Sequence, residues 1–269
     1  MKLKGKRILL TGASGGIGRA LSMELANHEA SLFLHGRDVK VLDSIRRTLP
    51  YPERHQIIDG DLGSVKDRVL LQSVIARNGG IDILINNAGT CRFAWLKDQS
   101  EDHIAEQLSL NIQVPVLLSR AMLPYLNNPG IIMNIGSSFG GIGYPGYSIY
   151  CASKFALRGF SEALGRELAS TGINVLYFAP RATRTPLNTA SVNALNSALG
   201  NRVDSAEWVA QQAVLALSKE HKRLWLGWPE KIFVKINALF PHVVDNAIAK
   251  KLNVIEQHSH DLPDNEHSS

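Results

Sequence analysis

The chain has 269 residues, 45% of them apolar, enough to bury a full core, and it fits one large α/β domain better than two small ones. A formal charge of +5 and a pI near 9.2 would suit an anionic ligand, but positive and negative residues are interspersed without a long basic block, which argues against nucleic acid as a partner. Two cysteines, Cys91 and Cys151, are too few for a disulfide framework and fit a reducing, cytoplasmic compartment, while the apolar run at residues 8–10 is too brief for a signal core or a membrane span.

Apolar β-type runs fall at residues 7–10, 31–34, 56–58, 81–85, 130–135, 173–178 and 224–226, with helical patterns between them. This alternation predicts βαβ units on a parallel sheet, a Rossmann-like, doubly wound α/β fold in three layers over residues 1–255. Near-continuous runs such as Ile81-Asp82-Ile83-Leu84-Ile85 fit strands covered by helices on both faces. Residues 256–269, polar and histidine-rich without apolar periodicity, are expected to be a disordered tail. In such sheets ligands bind beyond the carboxyl ends of the strands, so the segments just after each strand carry the functional signal.

After the first strand comes Thr11-Gly12-Ala13-Ser14-Gly15-Gly16-Ile17-Gly18, followed by a helical pattern over residues 19–27. Glycines let the chain turn sharply and approach a pyrophosphate, and the helix start offers it free amides and a positive dipole end. Gly12, Ser14, Gly16, Ile17 and Gly18 are therefore the expected phosphate cradle. After the second strand, His35-Gly36-Arg37-Asp38 should reach the adenosine ribose. Arg37 can neutralise a 2′-phosphate, which favours NADP(H); Asp38 leaves NAD(H) open, or simply caps the next helix beside a solvated Arg37.

Tyr150-Cys151-Ala152-Ser153-Lys154 places Tyr150 and Lys154 one helical turn apart on one face. A free tyrosine is a poor base near neutrality, and the Lys154 ammonium is expected to draw its pKa down toward the working range. Cys151 points from another face and reads as a packing residue.

Together the Thr-Gly-x-x-x-Gly-Ile-Gly loop, Asn86-Asn87-Ala88-Gly89 and Tyr-x-x-x-Lys resemble the short-chain dehydrogenase/reductase family, with matches over about two hundred residues. The resemblance implies a reversible hydride transfer between a nicotinamide cofactor and a ketone, aldehyde or 3-oxoacyl-type substrate. It implies that Tyr150 donates the proton in reduction, that Ser137 orients the carbonyl, that Lys154 also holds the nicotinamide ribose, and that Asn111 helps position a water linking Lys154 to solvent. Ser138 is the fallback for Ser137. Asp61 and Leu62 would lie beside the adenine, and Asn87, Ala88 and Gly89 would border the cofactor. Gly36 stands where NAD-preferring relatives carry aspartate, which again favours NADP(H). Pro180 and Thr185 fall in register with the turn that binds the carboxamide, and Thr183 and Thr185 would contact the cofactor, but Arg181 replaces the usual glycine of that turn. Arg181 and Arg184 could hold an anionic group or face solvent. The resemblance also implies a homodimer or homotetramer.

Residues 186–202 resemble the variable substrate lid of that family. Trp225, Trp228, Phe233, Phe240 and Val243, mixed with Lys222, Arg223, Lys231, Lys235, Lys250 and Lys251, fit a greasy pocket mouth, a membrane contact, or ordinary packing of a terminal helix. The nine histidines show no metal-ligand spacing, so no metal is expected. The rival to an enzyme is a non-catalytic NADP(H)-binding sensor or scaffold on the same fold, whose expected signature is a damaged catalytic set.

Overall fold

A computed structural model describes residues 1–259. Seven parallel strands form one sheet: β1 (Arg7–Thr11), β2 (Ser31–Gly36), β3 (Gln56–Asp59), β4 (Ile81–Asn86), β5 (Leu126–Ile135), β6 (Ile173–Ala179) and, after two short strands outside the sheet, β9 (Arg223–Trp225). The spatial order is β3-β2-β1-β4-β5-β6-β9, so strand order reverses between β1 and β4. The two short strands, β7 (Thr183–Arg184) and β8 (Asp204–Ser205), pair with each other.

Alternation along β1 divides the core. Ile8 and Leu10 pack with Leu21 and Leu25 of α1 (Gly16–Asn27), Leu42 and Ile45 of α2 (Val39–Thr48), and Ala213 and Leu217 of α8 (Ala206–Lys219). Leu9 points the other way, with Leu71 and Ile75 of α3 (Val65–Arg77), Leu118 and Met122 of α5 (Val114–Met122), and Leu164 of α6 (Ser148–Glu167). The one charged residue in the β4 run, Asp82, is answered by Lys6 Nζ at 3.1 Å and the Arg7 amide at 2.8 Å.

Residues 101–122 form α4 (Glu101–Leu108), capped by Ser100, then a π-helical turn Ser109–Gln113, then α5. The lid forms α7 (Ala190–Ala198), bracketed by the β7–β8 pair. Three helices end the described residues: α9 (Trp228–Leu239), α10 (Pro241–Ala249) and α11 (Leu252–Ser259), the last packed against α7. Residues 256–259 of the expected tail are thus the final turn of α11, anchored by the fully buried Ile255; residues 260–269 lie outside the described part.

Candidate active site

A cavity of about 970 Å³ opens beyond the carboxyl ends of β4, β5 and β6. Ser137, Tyr150 and Lys154 line it together with Ile17, Asn87 and Gly89 from the cofactor set. Pro180, Thr183 and Thr185 complete the wall after β6. The remaining candidates follow the carboxyl ends of β1 (Gly12, Ser14, Gly16, Gly18), β2 (Arg37), β3 (Asp61, Leu62) and β4 (Ala88), with Asn111 in the π-turn before α5.

Ser137 follows β5, and its Oγ accepts from the Phe139 amide at 3.1 Å, which fixes the hydroxyl at the start of a short turn, Ser138–Gly140. Lys154 is buried on α6, and its Nζ donates to the Ile135 carbonyl at 2.9 Å, tying the helix to the end of β5. Its Nζ stands 5.6 Å from the centre of the Tyr150 ring. Burial lowers the Lys154 pKa to about 8 and pushes the Tyr150 hydroxyl well above its ordinary value, while a hydrogen bond with Ser137 pulls Tyr150 back. The expectation that Lys154 draws Tyr150 down is therefore corrected: burial of the Tyr150 hydroxyl is the largest influence on it and acts upward.

The π-turn widens the helix at Asn111 and leaves its side chain buried beside the loop after β4. Nδ2 donates to the Thr90 carbonyl at 2.8 Å and to Ser153 Oγ at 3.1 Å, while Oδ1 accepts from the Thr90 amide at 2.9 Å. These bonds fix the Asn111 side chain at the base of the loop that follows β4. The observed work of the Asn111 side chain is to pin Thr90 to α6. A Cβ on Gly89 would stand 3.0 Å from Asn111 Oδ1 and 3.8 Å from Lys154 Nζ, so all three groups meet at one point.

The residues present fit a dinucleotide. α1 starts at Gly15 without a side-chain cap, whereas α2, α3 and α8 are capped by Asp38, Ser64 and Ser205, so the first amides of α1 are left for a ligand. Gly12 turns with φ +63°, and a Cβ on Gly18 would meet the Gly12 carbonyl oxygen at 2.0 Å, so the close loop–helix approach requires glycine. Thr11 Oγ1 accepts from the Asn87 and Ala88 amides at 2.9 and 3.0 Å, and Asn87 Nδ2 donates to the Thr11 and Gly12 carbonyls, which locks the two loops together. Arg37 is exposed beyond β2, and Asp38 caps α2 through the Lys40 and Val41 amides. Asp61 Oδ1 accepts from the Gly63 amide. The Leu62 side chain packs into the core with Phe33 and Leu71, which holds this segment just after β3 in place.

Arg181 also departs from both of its expected settings. It is buried, with Nε and Nη2 each 2.8 Å from an Asp204 carboxylate oxygen and Nη1 3.4 Å from Glu230. Its charge is already matched by this chain, so it is neither free for an external anion nor facing solvent. Arg184 is exposed. The turn avoids positive φ at Arg181, and Thr183 Oγ1 donates to the Arg181 carbonyl at 2.9 Å. The Thr185 side chain reaches the start of α1, since a Cβ on Gly16 would lie 2.7 Å from it.

Three features escaped the sequence. Tyr177 of β6 is fully buried; its hydroxyl accepts from the Ser137 amide and donates to the Ser137 carbonyl, both at 3.3 Å, and approaches the Lys154 carbonyl at 3.5 Å. Glycine at 136 and 140 makes room for it, because a Cβ at either would fall 2.1 Å from its ring or hydroxyl. Phe139 and Tyr147 each stand 6.3 Å from the Tyr150 ring, forming an aromatic wall that Phe93 and Tyr144 extend. Cys91 lines the cavity with its thiol pushed up to about 12 by burial, which disfavours the thiolate, whereas Cys151 is buried as its packing reading expects.

Residues 6–196 match the family model described as short chain dehydrogenase. Among curated proteins, the chain is 34% identical over 181 residues to the 3-oxoacyl-[acyl-carrier-protein] reductase FabG of Haemophilus influenzae, covering 66% of this chain and 74% of that one. Among solved structures it is similar to a short-chain dehydrogenase from Streptomyces avermitilis, with TM-score 0.76, 27% identity, and coverage of 94% and 98%. It is also similar to a short chain dehydrogenase from Burkholderia cenocepacia in complex with NADP, with TM-score 0.73, 30% identity, and coverage of 80% and 91%.

Proposed function

This chain belongs to the short-chain dehydrogenase family of oxidoreductases, and from that premise we propose that it is an NADP(H)-dependent carbonyl reductase for a hydrophobic ketone, aldehyde or 3-oxoacyl-type substrate. The observation that carries this reading is the convergence of Ser137, Tyr150 and Lys154 on one cavity walled by aromatic rings. The free start of α1, with Gly12, Ser14, Gly16, Ile17 and Gly18, would hold the pyrophosphate, and Arg37 the 2′-phosphate. Gly36 in place of an acidic residue, Arg37 beside it, and a relative solved with NADP support the phosphorylated cofactor over NAD(H). Asn87, Ala88 and Gly89 would border it, with Pro180, Thr183 and Thr185 on the nicotinamide side, Lys154 at the ribose, and Asp61 near the adenine.

NADP(H), when bound, supplies or accepts the hydride. The hydroxyls of Ser137 and Tyr150 would hold the carbonyl oxygen, and their hydrogen bonds strengthen as charge develops on it. Burial favours the neutral phenol of Tyr150, the form that gives a proton in the reducing direction. Lys154, with its lowered pKa, is suited to return a proton to Tyr150, and Asn111 holds the Thr90 loop against this group. A homodimer or homotetramer through α4, α5 and α6 belongs to the same reading, Phe155 of α6 being exposed.

The test is NADPH oxidation, followed at 25 °C, over a panel of short ketones, aldehydes and 3-oxoacyl thioesters of increasing chain length. Turnover that improves with apolar chain length is expected. Preference for small polar carbonyls would contradict the hydrophobic assignment.

A further inference from the structure

The cavity that holds Tyr150 extends between the lid and the last helices, and its other end meets an unusual surface. Trp228 and Phe233 line the cavity yet are 76% and 43% exposed, so they stand at its mouth. Helix α9 packs inward through Val234, which sits against Gly141, and through Asn237, whose Nδ2 donates to the Gly141 carbonyl at 3.0 Å. Trp228, Ile232, Lys235 and Leu239, spaced by four, three and four residues, form a stripe on the outer side of this helix. Leu239 is 72% exposed, and Phe240 and Val243 prolong the apolar surface across the bend into α10. This is the reverse of a surface helix that turns polar residues to water.

The surrounding charge is one-sided. From Lys222 to Lys251 the lysines are Lys222, Lys231, Lys235, Lys250 and Lys251, against only Glu230 and Asp245, while Arg223 is taken up by Glu162 of α6 at 3.0 Å. Glu230 is drawn inward to Arg181. Lys231 and Lys251 line the cavity, so the mouth itself is basic.

Among the described residues, no single helix is long and apolar enough to cross a membrane. α9 and α10 pass that test only as a pair, and they meet at a bend of 120°. At 1.5 Å per residue each spans less than about 20 Å, short of the roughly 30 Å hydrocarbon core. Apolar residues interleaved with lysine on short bent helices suit the plane of a lipid–water interface. A second copy of this chain is a poorer occupant, because a two-fold contact would bring the same lysines against one another.

We infer that the α9–α10 pair docks on an anionic lipid surface and turns the cavity mouth toward it, so that an amphiphilic substrate passes from the bilayer to Tyr150 without crossing water. The docking itself does not depend on the proposed reductase activity. Only the route of the substrate rests on that reading.

The experiment is co-sedimentation of the full chain with vesicles of 7:3 phosphatidylcholine and phosphatidylserine, and with phosphatidylcholine alone, without nucleotide or substrate. Two variants accompany it: Ile232→Ser with Leu239→Ser and Phe240→Ser, and Lys235→Gln with Lys250→Gln. None of these residues lines the cavity. Circular dichroism checks that each variant folds, and sedimentation velocity records its oligomeric state. Wild type is expected to pellet at low salt with the anionic vesicles at least fivefold more than with neutral ones, and each variant to lose at least fivefold. Wild type remaining in the supernatant, or folded variants pelleting as well as wild type, would overturn the inference. So would a serine variant that changes only the oligomeric state, which would assign the patch to a second copy. Because pelleting needs no turnover, a failed reductase assay leaves this result intact, and the reverse also holds.

Discussion

Arg181 and Asp204 face each other in a buried two-pronged ion pair, Nε and Nη2 each 2.8 Å from a carboxylate oxygen, which ties the turn after β6 to the far end of the lid. Glu230 at the start of α9 adds a third charge, so three substrate-side segments share one guanidinium. Removing the arginine strands a buried carboxylate, at a cost on the order of 3–5 kcal/mol. Arg181→Ala should lower the urea midpoint accordingly, and Arg181→Gly should do the same although glycine is usual in the relatives this turn resembles. Arg181→Met combined with Asp204→Leu should lose clearly less. An unchanged midpoint in Arg181→Ala would refute this account of the pair.

Tyr177 acts on the site through Ser137. Tyr177→Phe removes a hydroxyl bridging the Ser137 amide and carbonyl, and about 1 kcal/mol of stability should go with it. As a positioning residue it should lower kcat several-fold and leave the Kd for NADPH unchanged. Equal losses in both quantities would instead indicate a general disturbance of the fold.

On the proposed reading, Arg37 would set the cofactor preference. Charge-assisted hydrogen bonds to a phosphate contribute about 1.5–3 kcal/mol, so Arg37→Ala should weaken NADPH binding roughly tenfold to a hundredfold. NADH binding should hardly change. Fluorescence titration of both nucleotides measures the split, and parallel losses would remove Arg37 from this role.

Lys154 makes stability depend on alkaline pH. Its pKa is about 8 in the folded protein, against 10.5 ordinarily. Between these values the unfolded chain binds more protons, so the stability of the unliganded protein should rise as pH goes from 8 to 10.5. Below pH 8 both states hold the proton and the cost of the buried charge is fully present. Lys154→Met lacks this contribution, and the difference between wild type and variant, followed by denaturant unfolding, should shift in favour of wild type across that window. A pH-independent difference would contradict the assigned burial of the ammonium.

Much of the fold could be read from the chain because its strands are short apolar runs bounded by glycine or polar residues. All seven sheet strands appear where expected, most with ends moved by one residue. β5 starts four residues early, at Leu126, since its first part, through Asn127 and Asn128, has no apolar signature. Tyr150 and Lys154 were legible from helical spacing, and the glycine loop from steric need. Tyr177 was not, because a tyrosine inside an apolar strand reads as core, and its partners are backbone groups of a residue forty positions away. Arg181 was misread for a similar reason. Its counter-charge Asp204 lies beyond the lid, where no local pattern links the two. The bonds of the Asn111 amide to Thr90 and Ser153 were not legible either, because they depend on the π-turn that interrupts the helix there. The exposed stripe on α9 has the composition of a packed helix, and only its burial pattern reveals which side faces out.

The most direct test of the central claim compares wild type with Tyr150→Phe in one series, with NADPH binding followed by fluorescence and NADPH oxidation by absorbance on the best substrate of the panel. The account predicts that Tyr150→Phe binds NADPH within a few-fold of wild type while turnover falls by at least a hundredfold, the range of a lost general acid. Wild-type turnover preserved in Tyr150→Phe would contradict the proposed proton donor, and failure of wild type to bind either nicotinamide nucleotide would contradict the site as a whole.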